Sequence, residues 1–200
     1  TEQEKQQMIE EGTEAYAKFL QAMGYDYKAD PNSAETPYRY AKSFVEDLII
    51  GSIEKPPKIT SFPNDEQYTG LICQTDIPIK SLCSHHHREI SGKCHIAMIP
   101  GKDKDSQLIG LSKFNRIANF YARRLQLQEG LTKQIHDEVD RRCTGNRGVA
   151  VVISAKHACC GARGIKNDSE MVTSQLSGYF FSNELGTRTE FFNLIGPIKK

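Results

Sequence analysis

The chain has 200 residues, 38% hydrophobic and 26% charged, and its 26 basic and 25 acidic residues leave a net charge of +1. This length and composition are typical of one globular domain with its own hydrophobic core. The balanced charge gives no reason to expect a nucleic acid or a membrane surface as partner. No apolar run approaches the roughly 18 residues needed to cross a bilayer, and the polar residues 1–11 do not resemble a secretory signal peptide. We therefore expect a soluble, cytoplasmic protein.

The N-terminal third of the chain is expected to be helical. Apolar residues recur at helical spacing over 8–23. Thr36 is predicted to cap a second helix, which we expect to end at Gly51. Three prolines over 52–69 indicate a long loop. We take residues 1–69 as an N-terminal helical segment and loop.

Strands and a long helical region are predicted for the rest of the chain. Period-two alternation indicates strands over 71–79 and 94–98, and Ser112 is expected to cap a helical region that runs to Arg142. Gly130 is expected to interrupt that region, at a cost of about 1 kcal/mol relative to alanine. Further elements predicted are strands over 148–156 and 171–181 and a short helix with a capping box at Thr187–Glu190. This order is typical of an α+β fold, with residues 70–200 as the catalytic portion of a single compact domain.

The cysteines and histidines are clustered in the sequence rather than scattered. The six cysteines have no secretory signal before them, so free thiols or metal ligands are expected rather than a disulfide framework. Cys83 and His86 form a C-x2-H pair at a strand end, and Cys159 follows another strand. Three such ligands would leave the open fourth position of a catalytic zinc site. Two alternatives stay open: a structural site with His85 or His157 as the fourth ligand, or buried free cysteines, which are common.

Beyond these spacings, the chain resembles the GTP cyclohydrolase I family over about residues 30–195. The segments that carry the resemblance occur in the family's order and spacing. They are ETPYRYAKSFVEDLIIG, SLCSHHHREISGKCHIAMIPG, IGLSKFNRI, ARRLQLQEGLT, GVAVVISAKHACCGARG, VTSQLSGYF and TRTEFFNLI. Each segment alone is a weak signal, whereas the joint pattern is highly specific.

The resemblance implies a role for each matching position. Zinc would be bound by Cys83, His86 and Cys159, and the catalytic histidines would be His85 and His157. Gln128 and Glu129 would recognise guanine, since a carboxylate can accept hydrogen bonds from N1–H and from the 2-amino group. The positions that match the family's triphosphate contacts are Arg39, Lys42, Ser112, Lys113, Arg116 and Arg163.

The resemblance also implies the reaction, the fold and the assembly. The reaction is hydrolytic opening of the guanine imidazole ring of GTP at C8, with release of formate, ribose rearrangement and ring closure to 7,8-dihydroneopterin triphosphate. No phosphate is cleaved, which fits the absence of a P-loop motif from the sequence. The implied fold is the tunnelling fold, a four-stranded antiparallel sheet with two long antiparallel helices, here with N-terminal helices added. Members of the family assemble as homo-oligomers, usually decamers, with active sites at subunit interfaces.

Some positions depart from the family pattern. Ser84 stands where the family usually has Glu, and the polar residues 87–89 replace an apolar stretch. Gly130 replaces a common Arg, and Gly161 replaces a bulkier residue near the metal. Every direct ligand and both catalytic histidines are kept. We interpret the changes as variation around the site that alters rate or stability, because losing a partner of a metal ligand commonly costs about 10- to 100-fold in affinity or activity.

Two other functions compete with the cyclohydrolase. A nitrile oxidoreductase of the same fold would also bind a purine-like ring through a Glu, but it would use a nucleophilic Cys and NADPH without zinc. The retained Cys-His-Cys set and both histidines argue against it. A non-catalytic assembly module stabilised by zinc would need a fourth protein ligand and would not depend on His85.

Overall fold

The first helices of the chain form a unit of their own, Thr1–Glu54, in the computed structural model, which describes residues 1–196. Its elements are α1 (Glu2–Ala22), α2 (Thr36–Ser43), a π-helical segment (Phe44–Leu48) and α3 (Ile50–Ile53). Ile9 of α1 packs against Ala41 and Val45, and Ile53 joins this cluster. Ile9 is the one buried residue of α1, while Met8, Phe19 and Met23 of the predicted apolar spacing are exposed in this chain.

The ends of these helices differ from the prediction. The N-cap of α1 is Thr1, which forms a capping box with Glu4, so the helix begins before the apolar spacing predicted over 8–23. Thr36 is the first residue of α2 rather than its cap, because the first intrahelical bond runs from the N–H of Arg39 to the carbonyl of Glu35 at 3.0 Å, which makes Glu35 the N-cap. Gly51 lies buried within α3 instead of ending the helix. The chain stays helical past Gly51 because Ile53 packs onto the core of the unit.

The second unit, from Lys55 onward, contains the strands and the remaining helices. Its strands are β1 (Ser61–Pro63), β2 (Ile72–Cys83), β3 (Glu89–Ile99), β4 (Gln107–Ile109), β5 (Leu125–Gln126), β6 (Gly148–His157) and β7 (Glu170–Leu176). Its helices are α4 (Leu111–Ala122), α5 (Gln128–Arg142), α6 (Ala158–Gly161), α7 (Gly178–Ser182) and α8 (Thr187–Ile195), with a 3-10 turn at Glu184–Gly186. Throughout the described residues, no helix combines the length and apolar character that a membrane span requires.

The main sheet of this unit has the strand order β5-β2-β3-β6-β7. Neighbours are antiparallel except β5, which pairs with the edge of β2 in parallel. One face packs against α4 and α5 through residues such as Phe114, Leu131 and Ile135. The other face packs against Phe180 and Phe191 of α7 and α8. The predicted α+β fold, with four antiparallel strands and two longer helices, is confirmed.

The loop and helix predictions for this unit need correction in two places. The predicted loop over 52–69 contains β1, which pairs with β4. The helical pair predicted over 112–142 is divided at Leu125–Gln126 rather than at Gly130, because the edge of β2 pairs with the backbone of those two residues. The break therefore falls before α5, while Gly130 lies inside the first turn of α5. Ser112 is the second residue of α4, and Gly110 takes the N-cap position without a side-chain bond.

The predicted C-terminal elements also differ in their bounds. The strand predicted over 171–181 ends at Leu176, because Gly178 turns the chain with φ +52° and α7 follows. A side chain at Gly178 would lie 2.8 Å from Gly148 Cα, so only glycine fits this turn. Thr187, predicted to cap the last helix, is its first residue, and its hydroxyl donates to the carbonyl of Tyr179 at 2.8 Å instead.

Candidate functional site

The histidine-rich segment forms the turn between β2 and β3. Cys83 is the last residue of β2, and its backbone N–H donates to the carbonyl of Arg88 at 2.9 Å. The N–H of His87 donates back to the Cys83 carbonyl at 2.8 Å, with His87 at φ +48°. Cys83 is buried at the base of this turn, while His85 and His86 are exposed on it.

Strand pairing brings the second half of the constellation to the same place. Ile90, just after the turn, pairs with His157 at the end of β6. Cys159 follows on the short helix α6 and is 9% exposed. As a result, one donor atom from each of Cys83, His157 and Cys159 lies within 4.8 Å of the others.

This donor set fits a zinc ion. Thiolate sulfur and imidazole nitrogen are the ligands that zinc prefers. Burial, together with the neighbouring Cys83 thiol, raises the pKa of Cys159 to about 11. Two thiols held side by side in this way are stabilised as thiolates by a bound cation, because its charge compensates theirs. All six cysteines lie within the described residues and all are free, so neither thiol is taken up by a disulfide.

His86, predicted as the third ligand, is placed differently from the two cysteines. Within the described residues it is not part of the close group, and its Nε2 lies 2.9 Å from Arg163 Nη1. Arginine only donates, so His86 Nε2 is the acceptor and carries a lone pair. His85, predicted as a catalytic acid, lies with its Nδ1 3.7 Å from Cys83 Sγ.

The two residues predicted to recognise guanine begin α5 but differ in exposure. Gln128 is fully buried, and its Oε1 lies 2.8 Å from His157 Nε2. Glu129 is exposed. Burial lowers the pKa of His157 below its ordinary value of 6.5, and the nearby charge of Glu129 acts in the opposite direction. Glu129 follows directly after Gln128, the residue that contacts His157.

The predicted triphosphate contacts lie on three separate elements. Ser112, Lys113 and Arg116 lie on the first two turns of α4. Arg163 follows α6, beside the candidate metal ligands. The remaining two, Arg39 and Lys42, lie exposed on α2 of the first unit, where Lys42 is 3.9 Å from Glu46.

The chain is similar to known proteins over nearly its whole length. The family model of GTP cyclohydrolase I matches residues 12–196. The chain belongs to the GTP cyclohydrolase I family. A GTP cyclohydrolase 1 of Flavobacterium johnsoniae is 39% identical over 98% of this chain and 83% of its own. A GTP cyclohydrolase 1 of Pseudoalteromonas atlantica is 38% identical over 94% of this chain and 100% of its own.

Among solved structures, the apo form of an archaeosine synthase QueF-Like is similar at a lower level. The matched region spans 52% of this chain and 92% of the QueF-Like chain, with 17% identity and a TM-score of 0.40. A similarity at this level carries no conclusion about function.

A cavity of about 340 Å³ lies next to His157 in this member of the GTP cyclohydrolase I family. Its lining residues include Glu89, Lys156, Gly161 and Asp168. A side chain at Gly161 would meet the Asp168 carboxylate, so the glycine gives Asp168 its place at the cavity wall. The sequence marked Gly161 as a departure from the family, but it gave no sign of Asp168, because the two residues meet only through the fold of the loop after α6.

Proposed function

We propose that the protein is a zinc-dependent GTP cyclohydrolase I. The reaction is hydrolytic opening of the guanine imidazole ring of GTP at C8, with formate release, ribose rearrangement and closure to 7,8-dihydroneopterin triphosphate. The observation that carries the proposal is that the Cys83 and Cys159 thiols converge, with His157 beside them, in a member of this family.

We assign the zinc ligands to Cys83, Cys159 and His86. The two thiols are adjacent and free, and His86 already holds an Nε2 lone pair, the form of imidazole that binds metals. Zinc bound there would supply a Lewis acid that lowers the pKa of a water molecule toward neutrality. A zinc ion held by these three residues would keep one coordination position for that water.

The proton-transfer groups in this proposal are His85 and His157. His85 is exposed, with its Nδ1 3.7 Å from Cys83 Sγ, and in this proposal it would donate the proton to N7 of guanine. His157 is half-buried at the wall of the cavity, and burial favours its neutral form. One histidine thus suits the role of acid, and the other suits the role of base.

The substrate would be held at its two ends. Glu129, exposed at the start of α5 and near His157, can accept from guanine N1–H and the 2-amino group. The triphosphate needs several cations, and Arg163 lies beside the candidate metal ligands. We assign the other phosphate contacts to Ser112, Lys113, Arg116, Arg39 and Lys42, which lie on α4 and α2.

We further propose a cytoplasmic homodecamer whose active sites lie at subunit interfaces. Assembly at interfaces would gather phosphate-binding side chains that one chain presents on separate elements. The product places the protein at the entry to pterin and tetrahydrofolate synthesis, and so to one-carbon metabolism.

The proposal is tested by incubating zinc-loaded protein with GTP and identifying the product by mass spectrometry and by pterin fluorescence after oxidation. We expect 7,8-dihydroneopterin triphosphate from the unchanged protein and none from His85→Ala. NADPH oxidation with a nitrile substrate would instead support the oxidoreductase. Tightly bound zinc without any turnover of GTP would contradict the proposal and favour the structural module.

A further inference from the structure

Gln128 is a buried polar side chain near the candidate site, and both ends of its amide form hydrogen bonds. It is the first residue of α5 and is 0% exposed. Its amide nitrogen lies 3.1 Å from the carbonyl oxygen of Ile153, 2.9 Å from that of Met171 and 3.1 Å from Thr173 Oγ1. Its amide oxygen lies 2.8 Å from His157 Nε2. The side chain thus joins α5 to β6 and β7 and ends on the histidine.

These contacts fix which end of the amide faces which partner. Carbonyl oxygens only accept, so the two carbonyls of Ile153 and Met171 require the NH2 group of Gln128 on their side. The oxygen of the amide therefore faces His157. An amide oxygen only accepts, so His157 Nε2 must carry a hydrogen and donate it.

Two threonine hydroxyls hold the amide in this orientation. Thr132 Oγ1 donates to the backbone carbonyl of Gln128 at 2.8 Å. Its hydrogen is used there, so the hydroxyl of Thr173, 2.6 Å away, donates to Thr132. Thr173 Oγ1 is then left with a lone pair toward the Gln128 NH2 group, 3.1 Å away. The two NH2 hydrogens thus face three acceptor oxygens, and reversing the amide would place its own oxygen against the two carbonyl oxygens, with no hydrogen between them.

We propose that Gln128 is a positioning residue that holds His157 as the Nε2–H tautomer, so that Nδ1 is the one lone pair His157 offers to substrate. The inference rests on the proposed function for its catalytic meaning. It differs from guanine recognition by Gln128, because a fully buried amide with both ends engaged has no donor left to read a base. Recognition of guanine at the start of α5 then falls to the exposed Glu129.

The tautomer can be measured directly. Full-length protein labelled with 13C,15N-histidine is studied by solid-state NMR, which has no size limit, at a pH where imidazoles are neutral. The ring shifts of His157, assigned by comparison with His157→Gln, report which nitrogen is protonated. We expect Nε2–H in the unchanged protein and a mixture of tautomers in Gln128→Met, which keeps the volume but removes both hydrogen-bonding ends.

A matched control separates positioning from general loss of a buried amide. Gln126 is also buried, and its Nε2 bonds Ser81 Oγ at 3.2 Å and the Tyr121 carbonyl at 2.5 Å, not a histidine. Gln126→Met should therefore leave the His157 tautomer unchanged. A milder variant, Thr173→Val, removes one acceptor of the Gln128 amide and should shift the tautomer less than Gln128→Met.

Kinetics then distinguish the two roles of Gln128. Positioning predicts that Gln128→Met lowers kcat about 10- to 100-fold with KM for GTP little changed, whereas guanine recognition predicts a raised KM. An Nδ1–H tautomer in the unchanged protein, or an unchanged tautomer in Gln128→Met, would overturn the inference. Because the NMR measurement needs no turnover, failure of the proposed function would be seen separately, as an inactive protein whose tautomer still responds to Gln128.

Discussion

Gly92 lies at a point where the sheet that carries the site cannot accept a side chain. It pairs with Ala155 in the β3–β6 ladder, two residues from the Ile90–His157 pair. In Gly92→Ala the new Cβ would lie 2.5 Å from Ala155 Cα and closer still to the Ser154 carbonyl. Carbon atoms normally approach to about 3.5–4.0 Å, so the strands must separate by about 1 Å.

The obstacle is backbone rather than the end of a flexible side chain, so we expect the high end of overpacking costs, about 3 kcal/mol or more. Strand separation would also move His157 and Cys159 away from Cys83. We therefore predict both a loss of stability and a loss of bound zinc. Urea unfolding, at one protein concentration because assembly adds stability, measures the first, and metal analysis of purified protein measures the second.

Gly130→Ala is the matched control, because it adds the same methyl group in a helix. The new Cβ would meet only Gln134 Nε2, at an ordinary 3.7 Å. Alanine is the better helix former, so stability should rise by up to about 1 kcal/mol. A Gly92→Ala protein that unfolds within about 0.5 kcal/mol of the unchanged protein, with full zinc content, would refute the reasoning.

Further predictions concern the metal, an ion-pair cluster and the triphosphate. His86→Ala should lose bound zinc, whereas His157→Ala should keep it and lose turnover; metal analysis and product assays on the same samples check this, and the reverse pattern would move the third ligand to His157. Glu138→Gln should destabilise by about 2 kcal/mol at neutral pH, because the buried carboxylate accepts from two arginines of α5. Burial raises the pKa of Glu138, but these arginines outweigh it and hold the pKa below the ordinary 4.5, so the stabilisation is present above pH 4.5 and is lost as pH falls through the depressed pKa. Urea unfolding at a series of pH values should show the difference between Glu138→Gln and the unchanged protein shrink with acid, and a constant difference would contradict it. Arg163→Ala should raise KM for GTP about tenfold or more, since one charge-assisted bond contributes about 1.5–3 kcal/mol, and steady-state kinetics with an unchanged KM would exclude the contact.

The sequence was most informative where the signal is local. Alternation of apolar residues predicted β2 and β3, and β-branched residues predicted β6, which is buried along most of its length. The C-x2-H spacing placed Cys83 and His86 on one turn, and the strand before Cys159 placed that residue at the end of β6. Antiparallel pairing of β3 with β6 then brings these ends together, as a metal site requires.

Contacts between distant segments were not predictable in the same way. The apolar spacing of α4 continues into α5, so the break at Leu125–Gln126 depends on pairing with the edge of β2, more than 40 residues earlier. The burial of Gln128 depends on acceptors 25 and 43 residues away along the chain. In the sequence, Gln128 is only a glutamine beside a glutamate at the start of a helix. No local feature shows whether such a glutamine is buried against a histidine or contacts the substrate.

Release of formate from GTP labelled with 14C at C8 tests the central claim most directly. Formate carries the label only if the imidazole ring opens and C8 leaves, whatever becomes of the rest of the molecule. We predict labelled formate in proportion to the zinc content of the protein, abolished by a chelator and restored when zinc is added back. Zinc-loaded protein that releases no labelled formate would contradict the claim that this site opens the guanine ring.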